Sequence, residues 1–175
     1  MVSNVTIRAF TAHDATAVQA LFVKVNRLLA PPGMEDAFER YIARSIVEEI
    51  GHIEDYYGGR QGSFWVAVAG SDLAGMFGLE RTAAADAMEL RRMYVEPTLR
   101  RAGIGRAMLQ FAEDECRRQG IGRLELSTSE VQPDALRLYR AAGYRLEREE
   151  VADAASNKTI GGGIRRYYFS KQLIG

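Results

Sequence analysis

The chain has 175 residues, enough for one domain with a buried core of its own. Its 23 Lys plus Arg are matched by 23 Asp plus Glu, which excludes the basic excess of a protein that coats nucleic acid or an anionic membrane. Hydrophobic residues at 47% form no signal-like leader and no run of membrane-spanning length, and a lone cysteine, Cys116, excludes an internal disulfide and fits a reducing cytoplasm.

Val5 to Ala9 reads as a first strand. Thr11 with Asp14 three positions on resembles a capping box, so a helix follows with Val18, Leu21, Phe22, Val25, Leu28 and Leu29 on one face. Pro31-Pro32-Gly33 breaks it. The spacing of Phe38, Ile42, Ile46, Ile50 and Ile53 predicts a second helix from about Glu35 to Asp55, with Tyr56-Tyr57-Gly58-Gly59 as the loop after it. His13 and His52 have no partners at metal spacing and read as surface or capping residues.

Phe64 to Ala69 and Leu73 to Arg81 form a hairpin across Gly70-Ser71-Asp72, with Trp65 packing on the sheet. Gly75 and Gly78 mark a strand that bends or is closely approached. After a small-residue turn, a central strand runs from Met88 to Val95 and stops before Pro97. The next helix, opened by Gly103-Ile104-Gly105, buries Ile104, Met108, Phe111 and Ala112, turns Glu113, Asp114, Arg117 and Arg118 to water, and holds Cys116 as a structural thiol. Leu124 to Thr128 is a strand, Gln132-Pro133-Asp134 starts a helix that ends at Gly143, and strands at Tyr144–Leu146 and Ile164–Phe169 flank a flexible segment, 152–163. The arginine pairs 91–92, 100–101, 117–118 and 165–166 are each candidate anion sites, though most read better as solvated surface. The order β-α-α-β-β-β-α-β-α-β-β predicts an α/β architecture, a central mixed sheet flanked by helices.

A strand, a glycine-bearing turn and a helix N-terminus make a receptor for phosphate, because the first helical N–H groups lack internal partners and the helix dipole adds positive charge. Here Arg100, Arg101 and Arg106 surround that spot. A P-loop requires Lys followed by Ser or Thr, where Arg106-Ala107 stands, and the dinucleotide fingerprint requires a third glycine where Met108 stands. The hexapeptide Arg100-Arg101-Ala102-Gly103-Ile104-Gly105 instead resembles the acyl-CoA-binding motif Arg/Gln-x-x-Gly-x-Gly/Ala of the GNAT superfamily of N-acetyltransferases. It is preceded by Leu-x-x-Met-Tyr-Val-x-Pro and followed by Ala135-x-x-Leu138-Tyr139-x-x-x-Gly143-Tyr144, similar to a second family motif. Where the family often carries asparagine three residues before that alanine, this chain has Gln132. The resemblance covers nearly the whole chain, 1–175, as a single GNAT domain, and is nearest in look to bacterial members like the amino-acid and cysteine-conjugate acetyltransferases.

The resemblance implies acetyl-CoA as cosubstrate, no metal, and a small-molecule amine acceptor, with neither nucleic acid nor membrane as partner. It leaves oligomeric state open, a homodimer included. Acetyl-CoA contacts are expected from Met93, Tyr94 and Val95 as a strand edge, from Arg100, Arg101, Ala102, Gly103, Ile104, Gly105 and Arg106 at the phosphates, and from Gln132 at the pantetheine arm. Tyr139 takes the place of the tyrosine that meets the CoA sulfur, and Glu89 that of the glutamate base. Acetyl transfer needs a base for the ammonium, N–H donors for the developing oxyanion, here near Met93 or Tyr94, and help for the leaving thiolate. Strand alternation puts Glu89, Arg91 and Met93 on one face unless a bulge intervenes, which makes Arg91 the candidate for an acceptor carboxylate. Two alternatives remain at this stage: an acetyltransferase acting on peptide or lysine amines, and a non-catalytic acyl-CoA-binding module.

Overall fold

The structure is a computed structural model and describes residues 4–174. Its elements are β1 (Val5–Ala9), α1 (Ala15–Leu29), α2 (Glu35–Glu48), α3 (Ile53–Gly58), β2 (Ser63–Ala69), β3 (Asp72–Arg81), β4 (Ala87–Val95), α4 (Ile104–Arg118), β5 (Arg123–Ser129), α5 (Pro133–Ala141), β6 (Arg145–Ala152) and β7 (Ile164–Gln172). The strands form one 7-stranded sheet in the order β1-β2-β3-β4-β5-β7-β6. Among the described residues, only the β4–β5 pair is parallel.

Helices cover both faces. Phe22 of α1, Phe38 and Ile42 of α2 and Tyr57 of α3 pack on Val66 and Met76 on one side. Met108 and Leu109 of α4 and Tyr139 of α5 pack on Phe77, Met88, Leu90, Leu124 and Leu126 on the other. Burying both faces of a sheet against amphipathic helices is the arrangement that removes most apolar area from water in a chain of this length. No helix among the described residues is long and apolar enough to cross a membrane.

Local chemistry explains the element ends. The capping box forms: Asp14 accepts the Thr11 N–H at 2.8 Å. Its bond to Arg8, helped by that N–H, holds the carboxyl at about 2. Ring packing accounts for the glycine in β3, since a Cβ on Gly78 would lie 2.6 Å from the Tyr57 ring.

Several expectations are corrected. The long second helix breaks at Glu49 (φ −146°, ψ −65°), passes through a 3-10 turn at Ile50–His52 and resumes as α3, so Tyr56 and Tyr57 are helical and not in a loop. The break turns Glu49 inward to full burial. Glu113 does not face water either: it is buried, accepting from the Tyr144 hydroxyl at 2.9 Å and Lys171 Nζ at 3.0 Å. Leu28, placed by periodicity on the apolar face of α1, is 64% exposed.

The central strand carries the correction that matters most. Its register on β3 jumps from Gly78↔Arg91 to Met76↔Tyr94, and Arg92 has φ +55°. This bulge ends the alternation. Arg91 and Arg92 both reach Glu49 on the α2 side, whereas Met93 packs with the α4 core. The pair 91–92 is therefore buried and not solvated.

Candidate active site

Beyond Val95 the chain makes a tight turn. Glu96 accepts the Thr98 N–H at 2.8 Å and closes a 3-10 turn at Pro97–Leu99. Arg101 (φ +66°) and Gly103 (φ +84°) then take left-handed conformations on either side of Ala102, and α4 begins. The first backbone donor with a partner is Ala107, whose N–H meets the Gly103 carbonyl at 3.0 Å. Among the described residues, no N–H from 100 to 106 donates a hydrogen bond, and Arg100, Arg101 and Arg106 pair with no carboxylate. A row of free donors, unpaired guanidinium groups and the positive end of a helix dipole is a receptor for an anion such as a pyrophosphate.

Next to it the sheet opens. β4 and β5 pair only over Ala87–Leu90 and Arg123–Leu126. Past that point β4 stays on β3 and Ser127–Ser129 follow β7, leaving a cleft lined by Glu89, Arg91 to Tyr94, Ser127 to Ser129, Gln132 and Tyr139. The Glu96 N–H donates to the Ala74 carbonyl of β3 at 2.9 Å. Alternation turns the Tyr94 N–H the same way and leaves those of Met93 and Val95 facing the open seam. Of the two donors expected from the sequence, Met93 is the one with the right direction.

Tyr139 is buried, its ring 6.0 Å from that of Tyr144 and 6.2 Å from that of Phe169. Its hydroxyl bonds to no protein group among the described residues, and burial, with Tyr94 adding, pushes it above the ordinary tyrosine value. It therefore faces the cleft as a protonated donor. Gln132 precedes α5, its side-chain oxygen accepting from Thr128 Oγ1 at 3.2 Å, while its NH2 has no partner among the described residues.

The other wall is a charge cluster. Glu49 accepts from Arg92 Nε at 3.0 Å and from the Tyr57 hydroxyl at 2.7 Å, and forms an ion pair with Arg91 Nη2 at 3.0 Å. Burial pushes its carboxyl up, but Arg92 and then Arg91 outweigh that and hold it below the ordinary value. Arg91 also approaches Glu80 at 3.6 Å and Glu89 at 3.5 Å and donates to the Tyr56 hydroxyl. Arg91, expected from the sequence to meet an acceptor carboxylate, thus has every guanidinium nitrogen engaged. Lys158 Nζ closes the cluster, 3.2 Å from Glu89 and 3.3 Å from Glu80. A further cation on the cleft wall, Arg166, donates to Ser127 Oγ at 2.8 Å.

Glu89, Tyr139, Gln132 and Met93 thus share one cleft, and residues 100–106 lie at its end, the first turn of α4 resting near Val95 and Leu138. The sequence did not point to Glu49, Asn157 or Lys158, and it offered Arg166 only as half of one arginine pair among several candidate anion sites. Glu49 reads as surface beside Glu48, and Lys158 lies in a polar segment with no periodicity. The residual signal for the helix break was Gly51, where a Cβ would sit 2.6 Å from the Ile46 carbonyl.

A family model described as "Acetyltransferase (GNAT) family" matches residues 31–144. Probable N-acetyltransferase 14 of Xenopus tropicalis is 35% identical over 99 residues, covering 56% of this chain and 48% of that protein. N-acetylaspartate synthetase of Homo sapiens is 30% identical over 119 residues, covering 65% and 39%. The chain therefore spans about half or less of the curated relatives it matches. A PaiA N-acetyltransferase from Thermoplasma acidophilum, solved with coenzyme A, shares the fold with a TM-score of 0.77 at 21% identity over 97% of this chain and 99% of that one.

Proposed function

The chain belongs to the acetyltransferase (GNAT) family, and from that premise we propose that it carries an acetyl group from acetyl-CoA to the primary amine of an amino acid or amino-acid conjugate. The observation that carries this reading is the opened β4–β5 seam, into which Glu89, the Met93 N–H and the Tyr139 hydroxyl all face beside a free helix N-terminus. The donor set suits a pyrophosphate at residues 100–106 and an amide-bearing arm at Gln132. Bound there, acetyl-CoA supplies an activated acyl group.

Every other part of the proposal concerns this chain's own side chains. Glu89 takes the proton that makes the acceptor amine a nucleophile. Arg91, 3.5 Å away, keeps Glu89 in place. The Met93 N–H stabilises negative charge growing on the acyl oxygen, and Tyr139 gives a proton or hydrogen bond to the leaving sulfur. Since the Arg91 nitrogens are engaged, Arg166 is the guanidinium suited to an acceptor carboxylate. The relative named N-acetylaspartate synthetase supports an amino-acid acceptor, and the unpaired Cys116 supports work in a reducing cytoplasm. We take residues 1–175 to act as one domain.

The test is thiol release from acetyl-CoA with paired acceptors, each amino acid against its decarboxylated amine. The expected result is a preference for the amino acid that Arg166→Ala abolishes by raising KM about tenfold or more, the value of one charge-assisted contact. A simple amine turned over as well as its amino acid overturns the acceptor class, and no thiol release with any amine overturns the enzyme reading.

A further inference from the structure

Lys158 stands where an acceptor ammonium would have to stand. Its Nζ bridges Glu89 and Glu80 at 3.2 and 3.3 Å, in the cleft that Tyr139 and Gln132 also line. The backbone around it is held from outside the segment. The Asn157 carbonyl accepts from Arg91 and Arg92, and the Ala155 carbonyl accepts from Arg44 Nη1 at 2.7 Å. The side chain itself is 52% exposed and spans the remaining distance as an unbranched aminoalkyl chain. Glu80 is buried, and among the described residues its Oε2 has no hydrogen bond, with Arg60 Nε 3.8 Å away, so this pair of carboxylates keeps acceptor capacity.

We propose that Lys158 is itself an acetyl acceptor, modified within its own chain when acetyl-CoA is bound and no free amine competes. The inference rests on the acetyltransferase reading above. Glu89 removes a proton from the ammonium, and the Lys158 nitrogen lone pair attacks the thioester carbonyl carbon. The C–N bond forms, the C–S bond breaks, and the sulfur leaves with the electron pair and takes a proton from Tyr139. The nitrogen loses its second proton, Tyr139 is reprotonated, and one net proton passes from Glu89 to water. The products are a neutral N-acetyl amide and free CoA thiol, with no oxidant or reductant needed.

The chain has only three lysines, at 24, 158 and 171, so two of them report uncatalysed acetylation in the same sample. The purified chain is incubated with acetyl-CoA and no amine, then followed by intact mass and peptide mapping. The expected result is one acetyl group on Lys158, gained at least about a hundredfold faster than on Lys24 or Lys171, as general-base assistance allows. The rate should not depend on protein concentration, and Lys158→Arg should remove the fast mass increase. Equal labelling of the three lysines overturns the inference, as does a rate that rises with protein concentration. Saturable acetyl-CoA binding by calorimetry without label on Lys158 overturns it alone. Absence of binding overturns the acetyltransferase reading along with it.

Discussion

Tyr139 separates packing from chemistry at a single oxygen atom. Its ring belongs to the core, sharing edges with Tyr144 and Phe169, while its hydroxyl has no protein partner among the described residues. Tyr139→Phe therefore keeps the buried area and loses only the donor. If that donor assists the leaving sulfur, kcat should fall roughly ten- to a thousandfold with acetyl-CoA affinity nearly unchanged. Steady-state kinetics beside calorimetry checks this, and a wild-type kcat would return the residue to a packing role. Cys116 shows the opposite balance. Burial, then the nearby Glu115 and Glu113 charges, push its thiol up to about 12, so it is packing and nothing more.

At the scale of elements, the turn into α4 makes unequal demands on its two glycines. A Cβ on Gly105 would meet Leu138 at 3.4 Å and Val95 at 3.7 Å, ordinary contacts that point into the protein. Gly103 has open space around it but sits at φ +84°, where a β-branched residue is strained by about 1–2 kcal/mol. Relieving that strain redirects the N–H groups that face the anion. Gly103→Val should therefore weaken acetyl-CoA binding by about tenfold or more while circular dichroism stays native, and Gly105→Ala should bind nearly as wild type. Unchanged affinity in Gly103→Val would remove this turn from the phosphate site. The turn was legible in the sequence because everything it needs lies in one unbroken stretch from β4 through α4: strand, proline, glycines, arginines and amphipathic helix. The bulge at Arg92 and the break at Glu49 were not. Both answer to a partner on another element, and the local pattern at each still favours a regular strand or helix.

Charged and polar groups drawn from five separate segments meet in one cluster. Glu49 comes from the end of α2, Tyr57 from α3, Glu80 from β3, Arg91 and Arg92 from β4, and Lys158 from the segment before β7. Most of the element order and of both core faces could be read from periodicity, which is a property of neighbours in sequence. This cluster could not, because pairing between residues dozens of positions apart leaves no spacing to detect. Its stability should depend on pH with a definite sign. The folded state holds the Glu49 carboxyl below its ordinary value of 4.5, against a burial effect that alone would raise it. A depressed folded pKa means that the unfolded chain binds the proton more readily. The cluster's contribution is thus full above about 4.5 and is lost as pH falls through the lower folded value. Glu49→Gln should flatten that acid limb in denaturant titrations. It should also cost about 3–5 kcal/mol at neutral pH, because two buried guanidinium groups lose their shared counter-ion. Adding Arg92→Met should recover part of the loss, since one stranded charge is then gone. If the single variant keeps the wild-type acid limb and the double variant is no more stable than the single, Glu49 is not what holds these layers in register.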